Sequence, residues 1–226
     1  MKIEFTPVDH HLYEVTVSDP DLDWNALLDD LKKMSWEMEP PADGDLKLAV
    51  YNSKKSIETP QVKQFREWFL TSEVKNQLVD LLFTNQMFIK KFPALGQSWD
   101  PSLYEHLTDM YPKLIRQRTM IASNWIRTPP DYVNHKLHID VHTPYAFGMI
   151  YIIPEDDPKQ STYFTYSDHA INPTNIFKVK TEQLRRIPTG YGRGWLVLNN
   201  EQAYHKALND TDLDRYCLKI TLNSTT

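Results

Sequence analysis

The apolar positions of the chain change rhythm once, near residue 117. Before it they recur at helical spacing. Leu22, Leu27, Leu28, Leu31 and Met34 share one helix face behind the acidic stretch Asp19–Asp23. Thr59-Pro60 reads as a helix cap and first helical position, with Val62, Phe65 and Phe69 following on one face. Val74, Leu78, Leu81 and Leu82 continue in a second helix there, and Asp100-Pro101 opens a further one carrying Leu103, Leu107, Met110 and Leu114. Two short strands are predicted among them, where Tyr13, Val15, Val17 and Leu46, Leu48, Val50 alternate with period two. From Thr119 on the pattern reads almost wholly as strands: Thr119–Arg127, Lys136–Val141, Phe147–Ile153, Thr162–Tyr166, Phe177–Lys180, Gln183–Ile187, Trp195–Asn199, Tyr204–Leu208 and Arg215–Leu222. Turn signals such as Thr128-Pro129-Pro130, Asn172-Pro173 and Asn209-Asp210 separate them. The expectation is a mainly β fold with supporting α-helices, a sandwich or barrel of jelly-roll type. Residues 1–117 form an N-terminal extension packed on a core of residues 118–226, in one integrated domain because no linker separates them.

Composition narrows the partners. At ~100–200 residues per domain, 226 residues is one domain, or one with an extension. With 41% hydrophobic and 24% charged residues, overall disorder is excluded. The net charge of −5 argues against a purely electrostatic nucleic-acid binder. Cys217 is the single cysteine, so neither an intrachain disulfide nor a cysteine-based zinc site is available. The residues from Met1 to Pro7 lack an apolar signal core, and the longest apolar stretch, Tyr145–Ile153, is about half of the ~20 residues a membrane span needs. A soluble, cytoplasmic protein with no membrane partner is expected.

The candidate chemistry sits in Lys136-Leu137-His138-Ile139-Asp140-Val141-His142. Alternation turns Leu137, Ile139 and Val141 into packing and His138, Asp140 and His142 to the other face. Side chains at i and i+2, with roots ~6.5–7 Å apart, can converge on one ion, whereas His142 starts ~13 Å from His138. Two imidazoles and a carboxylate make a facial triad suited to non-haem Fe(II). The second imidazole must come from another strand, and His205 lies in one, with Arg215 ten residues further on.

This arrangement resembles the Fe(II)/2-oxoglutarate-dependent dioxygenases over roughly Met120 to Leu222. The resemblance implies a double-stranded β-helix, cupin-like core. It implies iron ligands His138, Asp140 and His205, and Arg215 as the partner of the far carboxylate of 2-oxoglutarate. Met149-Ile150-Tyr151-Ile152-Ile153 followed by Thr162-Tyr163-Phe164 is similar to the prolyl-4-hydroxylase-like branch, which implies that Tyr151 bonds 2-oxoglutarate; Asn124, on the strand before the His-x-Asp strand, is a further candidate for the cofactor pocket. The implied cofactors are Fe(II), 2-oxoglutarate and dioxygen. The implied reaction is hydroxylation of a peptidyl side chain such as proline, or of a small metabolite, with release of succinate and CO2. The chain departs from the family in lacking the Gly-Gly before the Thr-x-Phe strand, in reading Arg215-Tyr216-Cys217 where one branch has Arg-x-Ser, and in placing Asn209 where nucleic-acid demethylases carry a second Arg. The last departure argues against a nucleic-acid substrate.

Blander readings stay open at this level. His205 also reads as a surface histidine beside Lys206. Arg215, Lys219 and Thr221 also read as a solvated face opposite the core face of Tyr216, Leu218, Ile220 and Leu222. Tyr151 also reads as a packed core tyrosine. His135, His142 and His169 read as substrate-lining or surface residues, His10-His11 as an exposed loop pair, and Arg185, Arg186 and Arg193 as solvated surface or an anionic-substrate contact. A cupin-like metal enzyme that does not use 2-oxoglutarate and a non-catalytic jelly-roll binding module are the competing functions.

Overall fold

The computed structural model describes residues 1–9, 11–38, 50–51, 57–84, 117, 119–130, 132–133, 137, 146–165, 183–198 and 204–224. The expected helix from Asp100-Pro101, the strand Lys136–Val141 apart from Leu137, the strand Phe177–Lys180, and Leu46 and Leu48 lie outside these residues, as do His10, His135, His142 and His169.

The N-terminal elements form where local chemistry favours them. Helix α1, Trp24–Lys33, starts on Asp23, whose side chain accepts from Ala26 N at 3.0 Å, and ends in Lys32 and Lys33, which suit the negative end of the helix dipole. Helix α2, Pro60–Trp68, is capped by Thr59, and α3 spans Ser72–Thr84. Leu27, Leu28 and Leu31 of α1, Val62 and Phe65 of α2, and Phe69 and Val74 beyond are all buried. Strand β2, Leu12–Ser18, pairs antiparallel with a strand that was not expected, β1, Lys2–Pro7. The signal for β1 was the alternation Lys2-Ile3-Glu4-Phe5, in which Ile3 is buried.

Among the described residues β1 and β2 enter an eight-stranded sheet. Its order is β1, β2, β10 (Arg193–Leu198), β7 (Ala146–Tyr151), β12 (Arg215–Ser224), β5 (Thr119–Thr128), β4 (Val50–Tyr51) and β3 (Glu37–Met38). A four-stranded sheet has the order β6 (Tyr132–Val133), β11 (His205–Asn209), β8 (Thr162–Phe164) and β9 (Arg185–Arg186). From β5 to β12 the chain winds back and forth between the two sheets, all pairs being antiparallel, which is the winding of a jelly roll. Strands β2, β5, β7, β8, β10, β11 and β12 match expected ones with small shifts of their ends, whereas the two-residue β3 and β6 were not expected. The helices lie against the outer face of the large sheet.

Both faces of the large sheet are buried, and this positions the site. Tyr216, Leu218, Ile220, Leu222, Trp125 and Ile150 pack outward, in one cluster with Leu27, Leu31, Phe65 and Phe69. Cys217, Ile126, Phe147, Tyr151, Trp195 and Val197 point inward, in a second cluster with Phe164 of the small sheet and Leu12 and Ile187. Among the described residues no helix is long and apolar enough to cross a membrane.

Candidate active site

The inward face of β12 carries Arg215, Cys217 and Lys219. Arg215 is 2% exposed, so it does not lie on a solvated face; the strand is covered on one side by helices and on the other by the small sheet. Its guanidinium donates from Nη1 to Leu208 O at 2.7 Å and to Gln160 O at 3.5 Å, and from Nη2 to Thr128 Oγ1 at 3.2 Å. Among the described residues Nε has no partner, and no carboxylate pairs with the group. Register sets Arg215 opposite Thr128.

Tyr151 lies beside it, with Arg215 Cζ 5.8 Å from the ring centre. The phenol is fully buried, and that burial pushes its pKa above the ordinary value, with Arg215 pulling the other way. Its oxygen is 2.7 Å from Thr162 Oγ1 and accepts from Trp195 Nε1 at 2.9 Å. Tyr151 is therefore at once a core tyrosine and a neighbour of Arg215. Cys217, opposite Tyr151 in register, has its thiol pushed by burial up to about 11 and lies 3.6 Å from Met149 Sδ.

His205 is 4% exposed and points into the same interior, not to the surface. Pairing with Phe164 puts its ring 5.5 Å from the Phe164 ring, and rings from the facing sheet, Phe147 and Trp195, lie at 5.7 and 5.6 Å. His138 and Asp140 lie outside the described residues, and among the described residues no three His, Cys, Asp or Glu side chains converge. Leu137 is buried. Asn124 sits on the inward face of β5 with Ile126 and Thr128, directly across from Lys219.

One further expectation is corrected, and the other singled-out residues find these places. His11 is 1% exposed rather than part of an exposed pair, because the β1–β2 turn folds over the interior core between Val8 and Leu12. Arg186 and Arg193 are committed to Asp156 and Glu14, with closest contacts of 2.5 and 2.6 Å, and Arg185 donates to Val8 O. Asn209 is fully buried and braces the turn between β11 and β12, donating from Nδ2 to Thr128 O, Pro129 O and Leu213 O at 2.8–3.0 Å. The Asn209-Asp210 turn signal in the sequence fits this bracing role.

No protein-family model matches the chain, and no curated protein matches its sequence. Solved structures do match. HygX from Streptomyces hygroscopicus, with nickel, 2-oxoglutarate and hygromycin B bound, aligns with a TM-score of 0.51 at 11% identity, over 95% of this chain and 83% of that chain. EvdO2 from Micromonospora carbonacea var. aurantiaca, complexed with 2-oxoglutarate, aligns at 0.50 and 11%, over 99% of this chain and 94% of that one. EvdMO1 aligns at 0.51 and 9%, over 96% of this chain but 48% of its own length, so this chain spans about half of that protein. At these identities the likeness shows a shared fold.

Proposed function

We propose that this chain is an Fe(II)- and 2-oxoglutarate-dependent oxygenase. In this reading it hydroxylates a peptidyl side chain such as proline, or a small metabolite, and releases succinate and CO2. The observation that carries the reading is the buried guanidinium of Arg215, with an orphaned Nε and no carboxylate partner among the described residues. A buried cation is costly unless an anion pairs with it. The planar fork suits a carboxylate held by two parallel hydrogen bonds, and the far carboxylate of 2-oxoglutarate supplies one. That HygX and EvdO2 share this fold and have 2-oxoglutarate bound supports the assignment.

The neighbouring groups fit the same task. Trp195 Nε1 and Thr162 Oγ1 can both donate into the Tyr151 oxygen, which frees the tyrosine proton for the cosubstrate carboxylate. Burial keeps that proton in place at neutral pH. His205, with His138 and Asp140, would hold the iron. Bound there, Fe(II) with 2-oxoglutarate supplies dioxygen activation and the oxidation of a C–H bond. The rings of Phe147, Phe164 and Trp195 wall off His205 and keep bulk water from it. A cupin-like enzyme without 2-oxoglutarate, or a binding module, accounts for the hydrogen bonds that Arg215 makes to Leu208, Gln160 and Thr128 but supplies no anion for its buried charge and its Nε.

Anaerobic titration of the full chain with Fe(II) and 2-oxoglutarate tests this. A metal-to-ligand charge-transfer band is expected in the wild type. Arg215→Met should raise the 2-oxoglutarate concentration needed by ~100-fold, the scale of one lost buried charge pair, while iron binding and the circular dichroism spectrum persist. Absence of the band in the wild type, or an unchanged 2-oxoglutarate affinity in the variant, refutes the reading.

A further inference from the structure

We infer that the substrate of this site carries an anionic group, a carboxylate or phosphate, held by Lys219 and Asn124. The inference rests on the oxygenase reading above and deepens it.

Lys219 of β12 and Asn124 of β5 face each other directly in register, on the inward side of the large sheet. Directly opposed residues have Cβ atoms ~4.5–5.5 Å apart, so one small anion can touch both. Each side chain is half-buried. Among the described residues no carboxylate pairs with the Lys219 ammonium, and no hydrogen bond engages the Asn124 amide. The ammonium lies instead over the Phe147 ring, 5.1 Å from its centre. A cation–π contact offsets part of the cost of drawing a charge out of water, but it leaves the ammonium's donors free. The Asn124 amide adds directed N–H donors next to that charge.

Position separates this pair from the cosubstrate. Arg215 and Lys219 are four residues apart on one strand, so their roots are ~13 Å apart. Arg215 lies against Tyr151, Leu208 and Thr128. Lys219 lies at the opposite end, against the same Phe147 ring that packs on His205. An anion on Lys219 is thus one aromatic ring away from the proposed iron ligand, where a substrate must sit. Met149, the other cross-strand neighbour of Lys219, and Phe147 form an apolar wall beside it. The combination suits an organic anion with an apolar body.

Calorimetric titration of the full chain with benzoate, phenyl phosphate and neutral benzamide tests this, with and without Fe(II) and 2-oxoglutarate under anaerobic conditions. The wild type should bind benzoate, phenyl phosphate or both at least about tenfold more tightly than benzamide. Lys219→Met should abolish the preference, Lys219→Arg should keep it, and the 2-oxoglutarate affinity of Lys219→Met should stay within about twofold of wild type. Arg215→Met should show the converse, losing 2-oxoglutarate and keeping the preference. Equal binding of all probes by the wild type, a preference that survives Lys219→Met, or a 2-oxoglutarate loss in Lys219→Met matching that of Arg215→Met overturns the inference. A preference that depends on Lys219 in a protein without the charge-transfer band upholds the anion site and overturns the oxygenase reading alone.

Discussion

Asp156 is held in place by its neighbours on every oxygen. Arg186 donates to it at 2.5 and 2.7 Å, and Thr189 donates from its backbone N at 2.8 Å and its hydroxyl at 3.2 Å. Chiefly because of Arg186, its carboxyl is held down at about 2, against an ordinary 3.8. The charged form is the one the folded state favours. The resulting stabilisation is therefore complete above pH 3.8 and is lost as pH falls towards 2. Asp156→Asn should cost about 1 kcal/mol near neutral pH, a modest figure because the pair is partly exposed to solvent. The variant should also flatten the acid dependence in that window. Urea midpoints measured between the two pH limits check both effects. At this scale the sequence marked Arg215 and His205 as polar residues on alternating strands. It left open whether either faced solvent, since alternation separates two faces without saying what covers each.

At the scale of elements, β7 and β10 approach closely because glycines allow it. A Cβ on Gly194 would stand 1.9 Å from Met149 O, and one on Gly148 would stand 2.5 Å from Trp195 O. Backbone atoms cannot yield as a side-chain tip can. Gly194→Ala should therefore push the strands apart and destabilise the protein by about 2–3 kcal/mol. It should also strain the adjacent Trp195, whose Nε1 donates to Tyr151. Chemical denaturation reads the first effect, and a weakened 2-oxoglutarate affinity reads the second. Helices α1 and α2 were legible because a cap and a 3.6-residue period are both local signals. Strand β12 was legible for the same kind of reason. Strand β9, with two residues, carries too little pattern to be bounded, and β1 was overlooked although Ile3 and Phe5 alternate with charged neighbours.

Across the whole molecule, Leu27, Leu31, Phe65 and Phe69 share one apolar cluster with Trp125, Leu218 and Ile220 of the large sheet. Strands β1 and β2 extend that same sheet through the pairing of β2 with β10. Among the described residues, removing α1 and α2 would expose the apolar face of β5 and β12, and removing those strands would expose the helices. Urea unfolding followed by tryptophan fluorescence and by far-ultraviolet circular dichroism should give one coincident transition. Two separated transitions would show independent units. The sequence by itself determined the periods of the described helices up to Thr84 and of the strands from Thr119, and the residue types able to bind a metal and an anion, because each is written in local spacing. Only the tertiary structure decided that Arg215, Cys217 and Lys219 face the interior while Tyr216, Leu218 and Ile220 lie under the helices. It also decided that Phe147, Trp195 and Phe164 close around His205. The physical reason is that both faces of β12 are buried, so burial cannot distinguish them, and the contacts that do are made by strands far apart in the chain whose register no local preference sets.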